Sequence, residues 1–152
     1  MPADIEVTTV PPDLQRRLQE YPRQTKAVMK KTMEASLLHI QGEIPAYPQP
    51  PAGVDTSGRT GTLGRTLGVS QSGGAIGKAE IHLVENIGSS AFEGKIGTSL
   101  WYAERVIGEL QQKPWVDYWW QLKGVAQRAR DGVVRLHNAA TEELARFIDG
   151  FG

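Results

Sequence analysis

The chain of 152 residues contains no cysteine. That absence removes disulfides, thiolate nucleophiles and the usual structural zinc sites together, and it suits a reducing compartment. Net charge is missing too, because 17 basic residues balance 17 acidic ones. Domains that hold nucleic acid by its phosphates usually carry a basic excess, so the balance counts against that class. No stretch approaches the roughly 20 apolar residues that cross a bilayer. The opening residues, MPADIEVTTVPPD, place acids and prolines where a secretory signal would place basic residues and an apolar run. The expectation is a soluble, intracellular protein without a membrane partner. At this length one domain is expected, burying roughly 70% of its unfolded surface.

Catalytic motifs are equally scarce. Gly77-Lys78 resembles the end of a phosphate-binding loop, but Ser72 stands where that pattern needs glycine and Ala79 where it needs Ser or Thr. The missing hydroxyl is the magnesium ligand, and the residues after Lys78 read as a strand rather than a helix. A hairpin turn fits better. Three histidines stand apart, at 39, 82 and 137; His39 and Glu43 are spaced for one helix face but lack a third ligand. No nucleophile elbow or motif-spaced carboxylate pair appears. The sequence implies no enzyme, no metal and no cofactor.

What is present is periodicity. Residues 1–12 read as an irregular arm closed by Pro11 and Pro12. The domain is expected over 13–152, with a short helical turn from Asp13 and a longer helix opening at Pro22. There Met29, Met33, Leu37, Ile40 and Ile44 recur at steps of four, four, three and four, with Lys26, Lys30, Lys31, Glu34 and Gln41 on the other faces. Pro45 stops that helix. Later, TLGVSQ (66–71), AEIHLVEN (79–86) and AFEGKIGT (91–98) alternate in the manner of strands, with Ile81 and Leu83 facing one side and His82 and Val84 the other. They predict a three-strand meander. A short helix is expected within 100–110. The helical period returns from Gln121, with Leu122, Ala126, Ala129, Val133, Leu136, Ala140, Leu144 and Phe147 as its stripe. Together these elements predict an α+β fold, with long N-terminal and C-terminal helices packed on a small antiparallel sheet.

Two segments resist the role of core. The first, a long connection at 45–65, is stiffened by prolines 45, 48, 50 and 51, loosened by glycines and armed with Arg59 and Arg65. Loops of this length are uncommon in a compact domain and are usually functional or disordered. It reads as a phosphate cradle, a nucleic-acid arm or an arm for a partner subunit. As a single-strand binder it would need basic residues interleaved with stacking aromatics, and Tyr47 is its one aromatic. The second is a cluster that gathers all four tryptophans, at 101, 115, 119 and 120, with Tyr102 and Tyr118. Adjacent Trp119 and Trp120 cannot point the same way from one regular element. A core corner and a contact surface both fit, since Trp and Tyr are enriched where proteins meet.

The order of these features resembles a family of bacteriophage neck and tail proteins, the tail-completion or head–tail joining proteins, whose fold is shared with tail terminators. An RTG-x-L core stands here as Arg59-Thr60-Gly61-Thr62-Leu63, followed by Arg65. A YA-x-x-V segment stands as Tyr102-Ala103-Glu104-Arg105-Val106, and a proline-aromatic element as Pro114-Trp115. After YA-x-x-V the family often has an acidic residue and Gly-Thr, whereas this chain has Ile107-Gly108-Glu109. The resemblance covers about residues 13–149. It implies a non-enzymatic virion subunit, assembled in the host cytoplasm into a homo-oligomeric, six-fold ring. Such a ring contacts neighbouring neck or tail-tube proteins and passes DNA through its lumen without reading sequence. On that reading 45–65 is an arm that stays mobile until assembly, and Arg59, Thr60, Gly61, Leu63, Arg65, Tyr102, Trp115, Trp119 and Trp120 form the contact surface. The alternative is a small DNA-binding protein using Arg59 and Arg65.

Overall fold

Residues 3–9, 22–54, 59–87 and 91–149 are described by a computed structural model. In chain order the elements are strand β1 (Ala3–Thr9), helix α1 (Pro22–Gly42), short helix α2 (Thr62–Thr66), strands β2 (Ile81–Ile87) and β3 (Ala91–Thr98), short helix α3 (Ala103–Val106), a 3-10 turn at Trp115–Asp117 and helix α4 (Leu122–Asp149). The fold is α+β, as the periodicities predict. Among the described residues no helix is long and apolar enough to cross a membrane.

Helix α1 forms where the 3.6-residue stripe predicts it, and Met29, Met33, Leu37, Ile40 and Ile44 are all buried. Two of its buried hydroxyls are satisfied locally. Thr32 donates to the Val28 carbonyl at 2.7 Å and Ser36 to the Thr32 carbonyl at 2.8 Å, the back-bonding that lets small polar residues sit inside a helix. Gln41 departs from the expected pattern. It is buried rather than solvated, and its side-chain amide donates to the Gly68 carbonyl at 3.1 Å and to the Gly77 carbonyl. One polar side chain thus ties the end of α1 to two points of the following loop.

The sheet has three antiparallel strands in the order β1-β3-β2. Two expectations are corrected here. Residues 3–9 do not form an irregular arm, because β1 pairs along β3 from Ala3 opposite Thr98 to Thr9 opposite Phe92. Ala3 and Ile5 turn inward while Asp4 is exposed, the alternation of a half-buried strand. Residues 66–71 supply no strand. Leu67 and Val69 are buried there, but Gly68 adopts φ +75°, which no strand tolerates, and pairing shrinks to one bridge between Val69 and Ala75. That bridge closes the turn expected at Gly73-Gly74, and β2, not a helix, follows Lys78. The helical turn expected from Asp13 lies outside the described residues.

Helices α1 and α4 pack on each other and on the same sheet face, α1 over β3 and β2 and α4 over β1. Ile96 and Phe92 of β3 and Val84 of β2 meet them. The other face carries Ile81, Leu83, Glu85, Glu93 and Lys95, and Leu83 remains 49% exposed. The α4 stripe is broader than predicted, since Val125 and His137 join Leu122, Ala129, Val133, Ala140 and Leu144 among its buried residues. The His137 Nδ1–H donates to the Val133 carbonyl at 2.8 Å, as only a protonated nitrogen can.

Gly68 is constrained twice. A Cβ there would meet the Gly77 carbonyl oxygen at 2.5 Å, in a backbone conformation that L side chains rarely adopt. Gly68→Ala is expected to cost ~2–3 kcal/mol, seen as a lower urea midpoint with unchanged slope. His82 supplies a pH prediction. Both ring nitrogens are sealed from water without a hydrogen-bond partner. Burial pulls its pKa below the ordinary value, Lys78 adds to the shift and Glu34 opposes it. A depressed histidine contributes its stability fully above the unfolded pKa of about 6.5. That contribution fades as pH falls, because the unfolded chain takes the proton first. Stability of the wild type should therefore drop below about pH 6.5 more steeply than that of His82→Gln, as urea midpoints across the range will show.

Candidate functional site

The connection after α1 leaves through Pro45 and carries Tyr47 back onto the molecule, where its amide donates to the Gln71 carbonyl at 2.8 Å. The backbone N–H of Gly64 donates to the Tyr47 hydroxyl at 2.7 Å. Gly64 is glycine for a steric reason: a Cβ would lie 2.8 Å from the Val69 carbonyl oxygen and 3.2 Å from the Tyr47 ring. Helix α2 therefore lies directly on the tyrosine, with Leu63 and Leu67 buried beneath it. The segment expected to extend over 45–65 as a mobile arm is instead folded onto its own chain from Arg59 onward. Glycine here allows close packing more than motion.

On the other side the aromatic segment turns a tight corner. The amides of Tyr118 and Trp119 donate to the Trp115 carbonyl at 3.1 and 2.7 Å. The Gln111 side chain donates to the Val106 carbonyl at 2.6 Å and to the Trp119 carbonyl at 3.1 Å, holding this corner against α3. Trp119 is 8% exposed and stacks edge-on against Tyr47, ring centroids 5.0 Å apart. Trp120 tilts away at 5.8 Å from Trp119, half-buried. The adjacent indoles remain in contact, their planes inclined by 49°.

Arg59 joins the two segments. Its guanidinium carbon lies 5.7 Å from the Tyr47 ring centroid and 5.5 Å from that of Trp119. Contacts of this kind contribute about 0.5–2 kcal/mol each, more when desolvated. One guanidinium nitrogen, Nη2, is sealed from water without an acceptor, and so is the indole Nε1 of Trp119.

A cavity of about 450 Å³ opens beside this stack, lined by Tyr47, Arg59 through Leu63, Tyr102, Val106, Trp115, Tyr118 and Trp119. Its size falls within the range of small-ligand or side-chain pockets. Burial raises the pKa of Tyr47 against the pull of the Gly64 N–H and the two arginine charges, and it raises that of Tyr102 as well. Both phenols are neutral near pH 7. Among the described residues no acidic side chain lines the cavity, so its charge is that of Arg59.

Of the residues singled out in the sequence, Arg59, Thr60, Gly61, Leu63, Tyr102, Trp115 and Trp119 meet at this cavity. Arg65 does not; it is exposed, and its Nη2 donates to the Thr62 hydroxyl at 3.1 Å. Trp120 packs behind Trp119, away from the cavity. Sequence reasoning passed over Tyr47 and Tyr118 as lining residues and Gln41 as the anchor of the loop. Tyr47 carried a signal, as a lone aromatic between prolines. Gln41 carried none. His39 and Glu43 gather no third ligand: no group of three metal-binding side chains occurs among the described residues.

A scan against family models, a search of curated proteins and a search of solved structures each find no match to this chain.

The aromatic corner separates packing from surface. Trp119→Ala should lower stability by ~3–5 kcal/mol by emptying the corner. Trp101, 76% exposed, should tolerate the same change within about 0.5 kcal/mol. Urea unfolding of the two variants checks both values.

Proposed function

We propose that this chain is a non-enzymatic structural subunit of a tailed-phage virion, forming a homo-oligomeric ring, six-fold by family resemblance, at the neck or the top of the tail. DNA passes through the lumen of such a ring without sequence recognition, and adjoining neck or tail-tube proteins stack on it. The observation that carries this reading is convergence. Arg59–Leu63, Tyr102 with Val106, and Trp115, from the three segments on which the family resemblance rests, line one cavity. Large apolar side chains continue from its lining onto the surface, with Trp101 beside Tyr102 and Val116, 47% exposed, beside Trp115. Contiguous exposed aromatic and aliphatic surface of this kind marks protein contact sites.

A closed ring needs two different surfaces on each copy. The cavity face is one, and the outer face of the sheet, with Leu83 exposed, is the second. The packing of Arg59 favours protein contact over DNA binding. A guanidinium laid on two rings with one nitrogen sealed is poorly placed to grip phosphates.

Mass photometry and negative-stain imaging of the purified chain test the proposal. Closed rings are expected, and Trp101→Glu combined with Val116→Glu should release folded monomers with unchanged circular dichroism. A wild-type chain that remains monomeric at high concentration, or that shifts DNA with strong salt dependence, would contradict it.

A further inference from the structure

Five aromatic side chains surround the cavity, those of Tyr47, Tyr102, Trp115, Tyr118 and Trp119. Among the described residues the hydroxyls of Tyr102 and Tyr118 and the indole N–H of Trp115 have no hydrogen-bond partner, and none of the three is sealed from water. The wall therefore presents ring faces, accessible donors and the positive charge of Arg59. A segment of matching character leaves the same region. Residues 47–51 read Tyr-Pro-Gln-Pro-Pro, so each of them is a proline or stands directly before one. Proline fixes its own φ and steers the residue before it away from the helical region. The stretch belongs to no helix or strand, and such a sequence favours the left-handed polyproline conformation with three residues per turn. Pro48 and Pro51 then share a face, about 9 Å apart along the axis. Gln49 and Pro51 are exposed, and Pro48 and Pro50 are half-buried. No hydrogen bond reaches the carbonyls of Pro48, Gln49 and Pro50 among the described residues. Proline has no N–H, so the segment is rich in acceptors and poor in donors.

We propose that the segment 48–51 of one copy seats in the aromatic cavity of the next copy. Aromatic-lined grooves recognise extended proline segments by packing proline rings on ring faces. Here the accessible donors of Tyr102, Tyr118 and Trp115 meet backbone carbonyls that have no partner of their own. The positive charge of Arg59 favours the negative ends of those carbonyl dipoles, an electrostatic match between an acceptor-rich segment and a donor-bearing wall. Because the prolines hold the segment extended beforehand, docking costs little conformational freedom. A copy cannot serve its own cavity. Pro48 follows Tyr47, which is pinned to the wall through the Gln71 carbonyl and the Gly64 N–H, and no residue of 48–54 lines the cavity. Groove and segment are different surfaces of each copy, as a contact that repeats around a ring requires. The contact rests on the proposed assembly of copies of this chain and gives its cavity face an occupant.

The test uses the full chain and two readouts. In sedimentation velocity, Pro48→Ala combined with Pro51→Ala should weaken association at least about tenfold with unchanged circular dichroism, since the segment lies outside helices and strands. The second readout does not depend on how that variant folds. The chain carrying Trp101→Glu with Val116→Glu keeps every residue that lines the cavity, and it serves as receptor for a synthetic peptide of residues 48–54. The peptide should shift the Trp115 indole N–H resonance saturably. A peptide with alanine in place of Pro48 and Pro51 should not, and a receptor that also carries Tyr118→Phe should bind the native peptide more weakly. Rings that persist unchanged in the double proline variant would overturn the exchange between copies, even where the peptide binds, and leave the ring itself standing. A Trp115 resonance indifferent to the peptide would overturn the proposed seat. A wild-type chain that never associates would overturn both the contact and the ring.

Discussion

The arrangement depends on one stack: the guanidinium of Arg59 laid over the rings of Tyr47 and Trp119. Tyr47 belongs to the connection after α1, Trp119 to the corner before α4, and Arg59 to the start of the glycine-rich segment. Trp119 is distant in sequence from the other two, and none of the three belongs to a helix or strand. Their contact sets where α2 lies, and α2 in turn closes one wall of the cavity. Gln41 secures the rest of the loop from the other side, through the carbonyls of Gly68 and Gly77.

This changes how the basic segment works. An arm that orders on assembly gives up binding energy to lost conformational freedom. A segment already packed on its own core carries less of that cost, so more of the contact energy appears as affinity. Preorganisation comes with a residual defect, the acceptor that the sealed Nη2 lacks.

Much of the fold was legible from the residues alone. The stripes of α1 and α4 emerge directly from helical spacing, because a one-sided apolar pattern over 20 or more residues has few other solutions. β3 followed from alternation. β1 was obscured by Pro11 and Pro12, which lie just beyond it and lend the whole terminus the appearance of coil. Residues 66–71 misled in the opposite direction: Leu67 and Val69 alternate with polar neighbours, but burial there comes from a turn around Gly68. The site was legible as a set of residue types rather than as geometry. Arginines and tryptophans stood out as unusual, and seven of the nine chosen positions meet at the cavity. Of the residues that hold them in place, Tyr47 stood out only as a lone aromatic between prolines, and Gln41 could not be read, since a single side chain bridging distant backbone leaves no periodic trace.

The most direct measurement is a high-resolution density map of the assembled particle, inspected at the cavity beside Arg59. The account predicts a segment of an adjacent copy seated against the cavity face, with the Tyr47–Arg59–Trp119 stack retained. A cavity that holds only solvent in the assembled state, or a segment from Arg59 to Leu67 peeled away from Tyr47, would contradict it.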